Sequence, residues 1–322
     1  MRLILNCIRS ILASMMSLKF YRRFRAQTTA VVLLSLLFVL GSVTRADPAP
    51  AASSNAYGLF GWLDHRSQYG AGVYPEPFIV DDSDLETGEL RLDWIHQEKR
   101  RHVGDEVTAE IEKGFGELTI EVELHYERDA ATGFNTATGL TDRDVQDGLG
   151  NIDLGARYPI HQYVSADGFI DNTIGVGIEV GVPSNTRISK QTEIVPKIFD
   201  DLRLGEHFTM QTVIGYSMLK GPGDHEEALE YGFVFGWTIQ HNELPLPGVQ
   251  QIVPVFEVAG EYVTQGEDEG RTNLVGNAAV RVNFNAVRGI QPRLGIGYVF
   301  PMNSLAREDF RWGVVASLVF EF

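Results

Sequence analysis

The sequence predicts an all-β protein, a closed antiparallel transmembrane β-barrel of about 12 strands. Three observations lead to this fold class. Apolar and polar side chains alternate in segment after segment, the first 46 residues have the composition of an export signal, and the chain ends on an aromatic residue. No apolar run of 18 residues follows residue 46. A membrane-spanning chain without such helices must be a closed barrel, because lipid satisfies no unpaired backbone groups.

The N-terminal 46 residues resemble a secretory signal peptide. They contain seven basic residues and no acidic one. An apolar run of about 11 residues over 30–40 follows the basic cluster, and small residues over 44–46 precede Asp47. This order of regions is typical of a cleaved signal peptide. The apolar run is too short to span a bilayer, which takes roughly 20 residues.

Removal of residues 1–46 leaves a strongly acidic chain. It keeps 43 acidic and 20 basic residues, a formal charge of −23. This charge excludes nucleic acid as a partner, since phosphate binding needs a basic surface. The one cysteine, Cys7, lies in the removed part, so the exported chain has no disulfide, zinc thiolate or cysteine nucleophile.

Residues 47–84 are predicted to be a linker and an irregular N-terminal segment. The first ten are rich in Pro, Ala and Ser, and 57–84 are aromatic without a regular period. The pattern fits a short plug, a periplasmic cap or a loose arm. The acidic runs at 81–84 and 267–269 do not match an EF-hand loop, and we interpret both as solvated surface charge.

The barrel domain is predicted over 85–322. Its segments have lengths of 9–14 residues, which suit tilted strands crossing about 30 Å of hydrocarbon. A long outer loop is expected over 128–148 and a periplasmic turn over 159–168. The predicted strands are 89–97, 105–113, 117–127, 149–158, 170–182, 191–199, 207–219, 229–240, 251–264, 272–284, 290–300 and 311–322.

Alternate faces of four segments, 117–127, 229–240, 290–300 and 311–322, carry 23 apolar or aromatic residues and no charge. A Lys or Arg facing lipid at the bilayer midplane costs about 2–4 kcal/mol, so this absence favours lipid contact. A lipocalin-like barrel or a β-sandwich would also alternate, with its apolar face in a core. The repeated aromatic residues near segment ends favour the membrane barrel.

The last strand carries a candidate assembly signal. Phe320 and Phe322 lie on one face with Trp312, and the ending resembles the C-terminal signal that the barrel-assembly machinery reads. Outer-membrane lipid and this machinery are therefore the expected partners, and the outer membrane is the expected location.

The opposite faces contain the candidate lumen-lining residues. Glu121, Glu123, His125 and Glu127 form an acidic ladder on one strand. One interpretation is a lumen wall that attracts cations, or a metal site in which His125 is a ligand. The other is an interior whose acidic residues are neutralised by basic residues on other strands. We favour the second interpretation, because two-residue spacing alone does not converge ligands on a metal. The remaining candidates are Arg157, Glu179, Lys197, Glu230, Glu257, Arg281 and Arg293.

Two stretches resemble the phenol-degradation meta-pathway protein-like family of outer-membrane transporters. Gly-Leu-Gly-Asn-Ile-Asp-Leu-Gly-Ala-Arg-Tyr at 148–158 is similar to that family's Gly-x-Gly-Asp-x-x-x-Gly-x-Lys/Arg-Tyr strand. Gly-Val-Gly-Ile-Glu-Val-Gly-Val-Pro at 175–183 is similar to its strand that ends in Pro at an outer loop. Asn151 stands where the family has Asp. The resemblance implies an outer-membrane barrel that takes up small compounds, aromatic or hydrophobic ones among them.

These observations favour a transport barrel for a small solute. A closed structural or adhesive barrel is the alternative, because twelve strands lie between the filled eight-stranded and the open sixteen-stranded barrels. A barrel enzyme acting on lipid or peptide is less favoured, since Ser, His and Asp show no nucleophile motif. No enzyme activity, cofactor or metal is expected. An open pore would be mildly cation-selective through Glu121, Glu123 and Glu127.

Overall fold

The computed structural model describes residues 74–83, 88–99, 102–115, 117–135, 140–185, 188–222 and 225–322. They form a single antiparallel sheet with one short helix, α1, at Ala306–Asp309. The strands are β1 Gly88–Lys99, β2 His102–Phe115, β3 Leu118–Asn135, β4 Leu140–Val164, β5 Ile170–Pro183, β6 Thr192–Leu204, β7 Phe208–Lys220, β8 Glu227–Trp237, β9 Ile239–Gln240, β10 Val249–Gln265, β11 Thr272–Phe284, β12 Gln291–Pro301 and β13 Phe310–Glu321.

The sheet closes on itself. Each strand pairs with its sequence neighbour, and β1 also pairs with β13 along eleven registered positions, among them Leu92 with Leu318. The two-residue β9 continues β8 past Thr238, and both pair with β10. The ring therefore has twelve strands, which confirms the predicted fold class. Among the described residues, no helix is long and apolar enough to cross a membrane.

Side chains alternate between the two faces of the ring. In β13, Val315 and Val319 are buried inside, whereas Leu318 and Phe320 on either side of Val319 face outward. In β12, the outward Ile296 is 56% exposed and the inward Arg293 is 1% exposed. This apolar exterior around a polar interior is the arrangement that lipid on the outside stabilises.

The strands around residue 150 are longer than predicted. The predicted loop over 128–148 is wrong in most of its length, because β3 and β4 stay paired up to Asn135 and Leu140. The turn expected over 159–168 is wrong for 159–164, since β4 continues to Val164 after an irregularity at Pro159, and it is confirmed for 165–168. Polar residues on both faces of these extensions hide the alternation that marks the rest of the barrel.

The two ends of the barrel differ in their connections. We call the end with Gly88 and Glu321 the lower end, and the end with Lys99 and Phe310 the upper end. The β3–β4 hairpin projects at the upper end, where α1 also lies. At the lower end the amide N–H of Phe322 donates to the carbonyl oxygen of Gly88 at 2.9 Å, which closes the β1–β13 seam.

Candidate functional site

The lower half of the lumen is occupied by residues 74–83, which we call the lumen segment. Eight of its ten residues are buried, although the segment has no regular secondary structure. Only Ile79 and Asp81 are partly exposed. Of the three roles that the sequence allows for 57–84, this placement corresponds to a plug; residues 57–73 and 84 lie outside the described residues.

Hydrogen bonds to Glu257 hold the middle of the segment. The amide N–H groups of Phe78 and Ile79 donate to Oε1 and Oε2 of this carboxylate, at 2.6 Å and 3.0 Å. Asn277 donates from Nδ2 to Oε2 at 3.0 Å. Glu257 is fully buried in β10, so the carboxylate receives these donors where water does not compete for them.

Three arginines contact the part of the segment around Glu76 and Pro77. Arg91 donates to the carbonyl oxygen of Pro77 at 2.6 Å, and Arg281 donates to that of Glu76 at 2.7 Å. Arg293 forms an ion pair with the Glu76 carboxylate. The Arg281 guanidinium also lies 4.5 Å from the centre of the Phe78 ring, a cation–π distance.

The acidic end of the segment contacts the opposite side of the wall. Asp81 pairs with Lys197, Asp82 lies 3.6 Å from Arg157, and Ser83 donates to Asp201 at 2.5 Å. The interpretation of residues 81–84 as solvated surface charge is therefore wrong for Asp82 and Ser83, which are buried. The local sequence does not reveal this burial, because Arg157 and Asp201, which contact Asp82 and Ser83, lie more than 70 residues away along the chain.

Glycines in the wall make room for the segment. A Cβ atom added at Gly232 would overlap Val80, and one added at Gly295 would overlap the Phe78 ring. Pro75 lies in the same way against Gly236. Inward glycines thus fit the shape of the segment rather than widening an empty pore. The segment's Phe78 and Val80 join Val234, Val253 and Val255 in one buried apolar cluster inside the ring.

The upper half of the lumen contains a cavity of about 510 Å³. A second cavity of about 350 Å³ shares Ile79, Val80 and Asp81 with it as lining residues. Ten carboxylates line the larger cavity, with Arg91, Lys197 and His125 as basic groups. The excess of acidic groups sets a negative potential that attracts cations.

The larger cavity has two chemically different walls. Strands β1–β6 contribute mostly polar side chains, and β10–β13 contribute apolar ones, with Glu230 of β8 between the two sets. The centre of the polar wall consists of Glu106, Thr108, Glu110, Glu123, His125, Asp153 and Glu179. The apolar wall consists of Ala259, Val275, Val299 and Val315.

His125 organises the polar wall. Its Nδ1 lies 2.9 Å from Glu106, and its Nε2 lies 2.6 Å from Asp153 and 3.3 Å from Glu123. One ligand atom each from Glu123, His125 and Asp153 lie within 4.8 Å of one another. As an imidazolium, His125 would offset part of this negative charge.

The sequence-predicted lumen residues divide between the two halves. Glu121, Arg157, Lys197, Glu257, Arg281 and Arg293 are all at most 8% exposed. Of these, Arg157, Lys197, Glu257, Arg281 and Arg293 contact the lumen segment directly. Glu121 reaches it through Arg157, which lies 3.2 Å away. In contrast, Glu123, His125, Glu179 and Glu230 line the cavity, and Glu127 is half-buried above His125 on the same strand.

Basic residues neutralise part of the acidic ladder. Glu121 pairs with Arg157, as the neutralised-interior interpretation expects, while Glu123 is bridged by His125 of its own strand. The sequence gives no signal for Glu76, Glu106 or Asp153 as members of the site. A search for inward carboxylates on β2 and β4 could have found the last two once the strand registers were known.

Comparison with solved structures places the barrel among known folds. The COG4313 outer membrane channel from Pseudomonas putida F1 is similar with a TM-score of 0.52 and 12% identity, over 76% of this chain and 100% of that one. This protein has the fold of an outer-membrane barrel channel. The NanC porin has a TM-score of 0.44 at 8% identity, over 72% of this chain and 98% of that one. The KdgM porin has a TM-score of 0.37 at 11% identity, over 72% of this chain and 99% of that one.

No family model and no curated protein matches the chain. The resemblance to the phenol-degradation meta-pathway family therefore stays a resemblance of the two stretches at 148–158 and 175–183. The solved structures agree with its coarser implication, a barrel of the outer-membrane channel type.

Proposed function

We propose that this protein is an outer-membrane channel for small solutes whose lower lumen is closed by residues 74–83. The observation that carries the proposal is the division of the lumen. A cavity of about 510 Å³ lies above a short segment that is held by side-chain contacts rather than by strand pairing. Such a segment can leave the lumen without breaking the ring, because none of its residues belongs to a barrel strand.

The apolar exterior and the predicted signal peptide support an outer-membrane location. In this orientation the lower end, with the C-terminus, faces the periplasm, and the β3–β4 hairpin projects outward from the cell. Solutes then enter the cavity first and meet the lumen segment second. Phe320 and Phe322 serve as the assembly signal in this proposal.

The two walls of the cavity favour a solute that combines positive charge with an apolar body. The carboxylates of the polar wall attract a cation. The valines of the apolar wall bury the apolar part of the solute away from water, which favours binding. The aromatic compounds implied by the family resemblance fit the apolar wall. Those that carry an amine fit both walls.

Planar-bilayer recordings of the purified barrel test the channel. The full protein should show low or intermittent conductance, and deletion of residues 74–83 should give a steady conductance many times larger. Deletion of 267–269 in a surface turn is the control and should leave the conductance as in the full protein. A deletion variant that folds but does not conduct would contradict the proposal.

Solute preference is tested by swelling of vesicles that contain the deletion variant. Benzylamine and benzoate share the aromatic body and differ in the sign of their charge. Benzylamine should enter several times faster at low salt, and equal rates would contradict the assignment of a cationic solute.

A closed structural barrel is the second candidate, favoured by the packing of the lower lumen. The apolar cluster around Phe78 and Val80 would then stabilise the barrel permanently. The same recordings separate the two functions, since a structural barrel stays silent in the full protein and unfolds when the segment is deleted.

A further inference from the structure

A buried cluster of carboxylates lies between the lumen segment and the wall. Asp82 belongs to the segment, and Glu110 and Glu112 belong to β2. One carboxylate oxygen from each lies within 4.8 Å of the other two. All three residues are at most 7% exposed, although ionised carboxylates at such distances repel one another strongly where solvent does not screen them.

Arginines offset only part of this charge. Arg91 contacts Asp93 and Glu110, at 2.6 Å and 3.6 Å. Arg157 pairs with Glu112, with Asp82 at 3.6 Å and with Glu121 at 3.2 Å. Two guanidinium groups therefore form ion pairs with five carboxylates, which leaves an excess of negative charge.

Two further observations show that the buried carboxylates have few partners. Among the described residues, Oε2 of Glu112 has no hydrogen-bond partner, although this side chain is fully buried. Glu89 faces Glu112 directly in the β1–β2 register and is also fully buried. Within the same described set, neither of its carboxylate oxygens has a hydrogen-bond partner. Registered neighbours on one face lie about 5 Å apart at Cβ, so Glu89 adds a sixth carboxylate to the cluster.

We propose that Asp82, Glu110 and Glu112 bind a divalent cation of the Ca²⁺ type, with Glu89 as an additional oxygen ligand. Ca²⁺ takes six to eight oxygen ligands at about 2.3–2.6 Å, so two of its ligands lie at most about 5 Å apart. The three carboxylate oxygens meet this limit. The ligand set contains no nitrogen or sulfur, which favours a hard cation over zinc or copper.

The cavity gives the cation a path to the site. Asp82 and Glu110 both line the cavity of about 510 Å³, whereas Glu112 lies behind them. A hydrated ion entering from the upper end would meet the first two carboxylates and keep waters on its open side. Arg91 and Arg157 then hold the carboxylates in place, as outer partners of metal ligands commonly do.

This site would link cation binding to the position of the lumen segment. Asp82 moves with the segment, while Glu110 and Glu112 stay in the wall. A cation that needs all three ligands binds the closed arrangement more tightly than the open one, and it stabilises closure by the same factor. Binding itself does not depend on whether the barrel conducts.

Equilibrium dialysis of the folded, detergent-solubilised protein against radioactive Ca²⁺ tests the site. We expect one saturable Ca²⁺ per chain, and a loss of affinity of about 100-fold or more in Glu110→Gln/Glu112→Gln, since each ligand carboxylate is replaced by a neutral amide. The control Glu267→Gln/Glu269→Gln removes as many acidic groups from an exposed turn and should keep the wild-type affinity. Folding of every variant is checked by its heat-dependent migration on gels.

Asp82→Asn keeps the barrel wall intact and decides the matter if the double variant does not fold. It should weaken Ca²⁺ binding about 10-fold or more. The proposal is overturned if the wild-type protein has no saturable site, or if Asp82→Asn binds Ca²⁺ as tightly as the wild type. Because the measurement needs no conductance, its failure would leave the channel proposal untouched.

Discussion

The lower and upper halves of the lumen are built from the same strands but differ in what their inward side chains contact. In the lower half these side chains pack against residues 74–83, and charges meet partners across the ring. In the upper half they border a cavity and carry an excess of negative charge. Strand β3 shows the contrast over two residues, since Glu121 is buried beside Arg157 and Glu123 lines the cavity.

This difference shows that an inward position does not define a role by itself. The alternation of a strand fixes which side chains face the lumen, but the height along the strand decides whether they meet the segment or the cavity. Lower positions should therefore respond to substitution as a protein core does, and upper positions as a wetted surface does.

The largest expected effect concerns Arg at an inward apolar position. Val253 is 1% exposed in the lower half and faces Arg281 in the β10–β11 register, so Val253→Arg should destabilise the barrel by about 3–5 kcal/mol, the range for an uncompensated buried charge. Ile95→Arg in the upper half should change stability by about 1 kcal/mol or less, because it faces the cavity opposite Glu106. Urea unfolding in vesicles measures both. Equal losses would abolish the distinction between the halves.

A smaller effect is expected from Glu257→Gln, which replaces an acceptor of two segment amides. One amide would face an N–H group instead of an oxygen, at a cost of about 1–3 kcal/mol to the closed state. The open fraction should rise by about 5- to 150-fold, since 1.4 kcal/mol corresponds to a factor of ten. Single-channel recording measures this fraction. The matched variant Glu230→Gln in the cavity wall should leave it unchanged, and an equal response of both variants would contradict the anchoring role of Glu257.

Ion preference should change by a smaller factor. Glu123→Gln combined with Glu230→Gln removes two carboxylates that line the cavity. The cation-over-anion permeability of the segment-deleted barrel should fall about twofold at 0.1 M salt, where charges act over about 10 Å. Reversal potentials in a salt gradient measure the ratio. Glu121→Gln should leave the permeability ratio nearly unchanged, because Arg157 pairs with this carboxylate. A larger change from Glu121→Gln than from the double variant would show that Glu121, and not the cavity carboxylates, sets the ion preference.

The smallest effect on the folded barrel is expected at the lower seam. Deletion of Phe322 removes its hydrogen bond to Gly88 and should cost about 1 kcal/mol in unfolding free energy. Assembly should suffer more than stability, because the terminal aromatic residue is the proposed insertion signal. Pulse-chase measurement of folded outer-membrane protein checks this. Wild-type assembly rates in the truncated protein would show that Phe322 is not the signal.

The sequence predicts the barrel well because its evidence is periodic and local. Twelve strands follow from alternating faces such as that of 229–240, and outward residues such as Ile296 and Leu318 lie where the pattern places them. The β3–β4 hairpin is missed because its polar tip has no alternation.

The interior is less predictable from the sequence. The contacts of Glu76 with Arg293 and of Phe78 with Glu257 join residues 217 and 179 positions apart. Such contacts depend on ring closure and on the height of each residue along its strand. The sequence also does not show that the inward Gly232, Gly236 and Gly295 are the places where the lumen segment fits.

The position of the lumen segment directly before β1 has a kinetic consequence. Ser83 and Gly88 are separated by five residue steps, which span at most about 17 Å when extended. A displaced segment therefore stays at an effective concentration on the order of millimolar near its own site. Reclosure is then intramolecular and independent of how many barrels the membrane holds. A free peptide with the sequence of residues 74–83 would have to reach a similar concentration before it could take the segment's place.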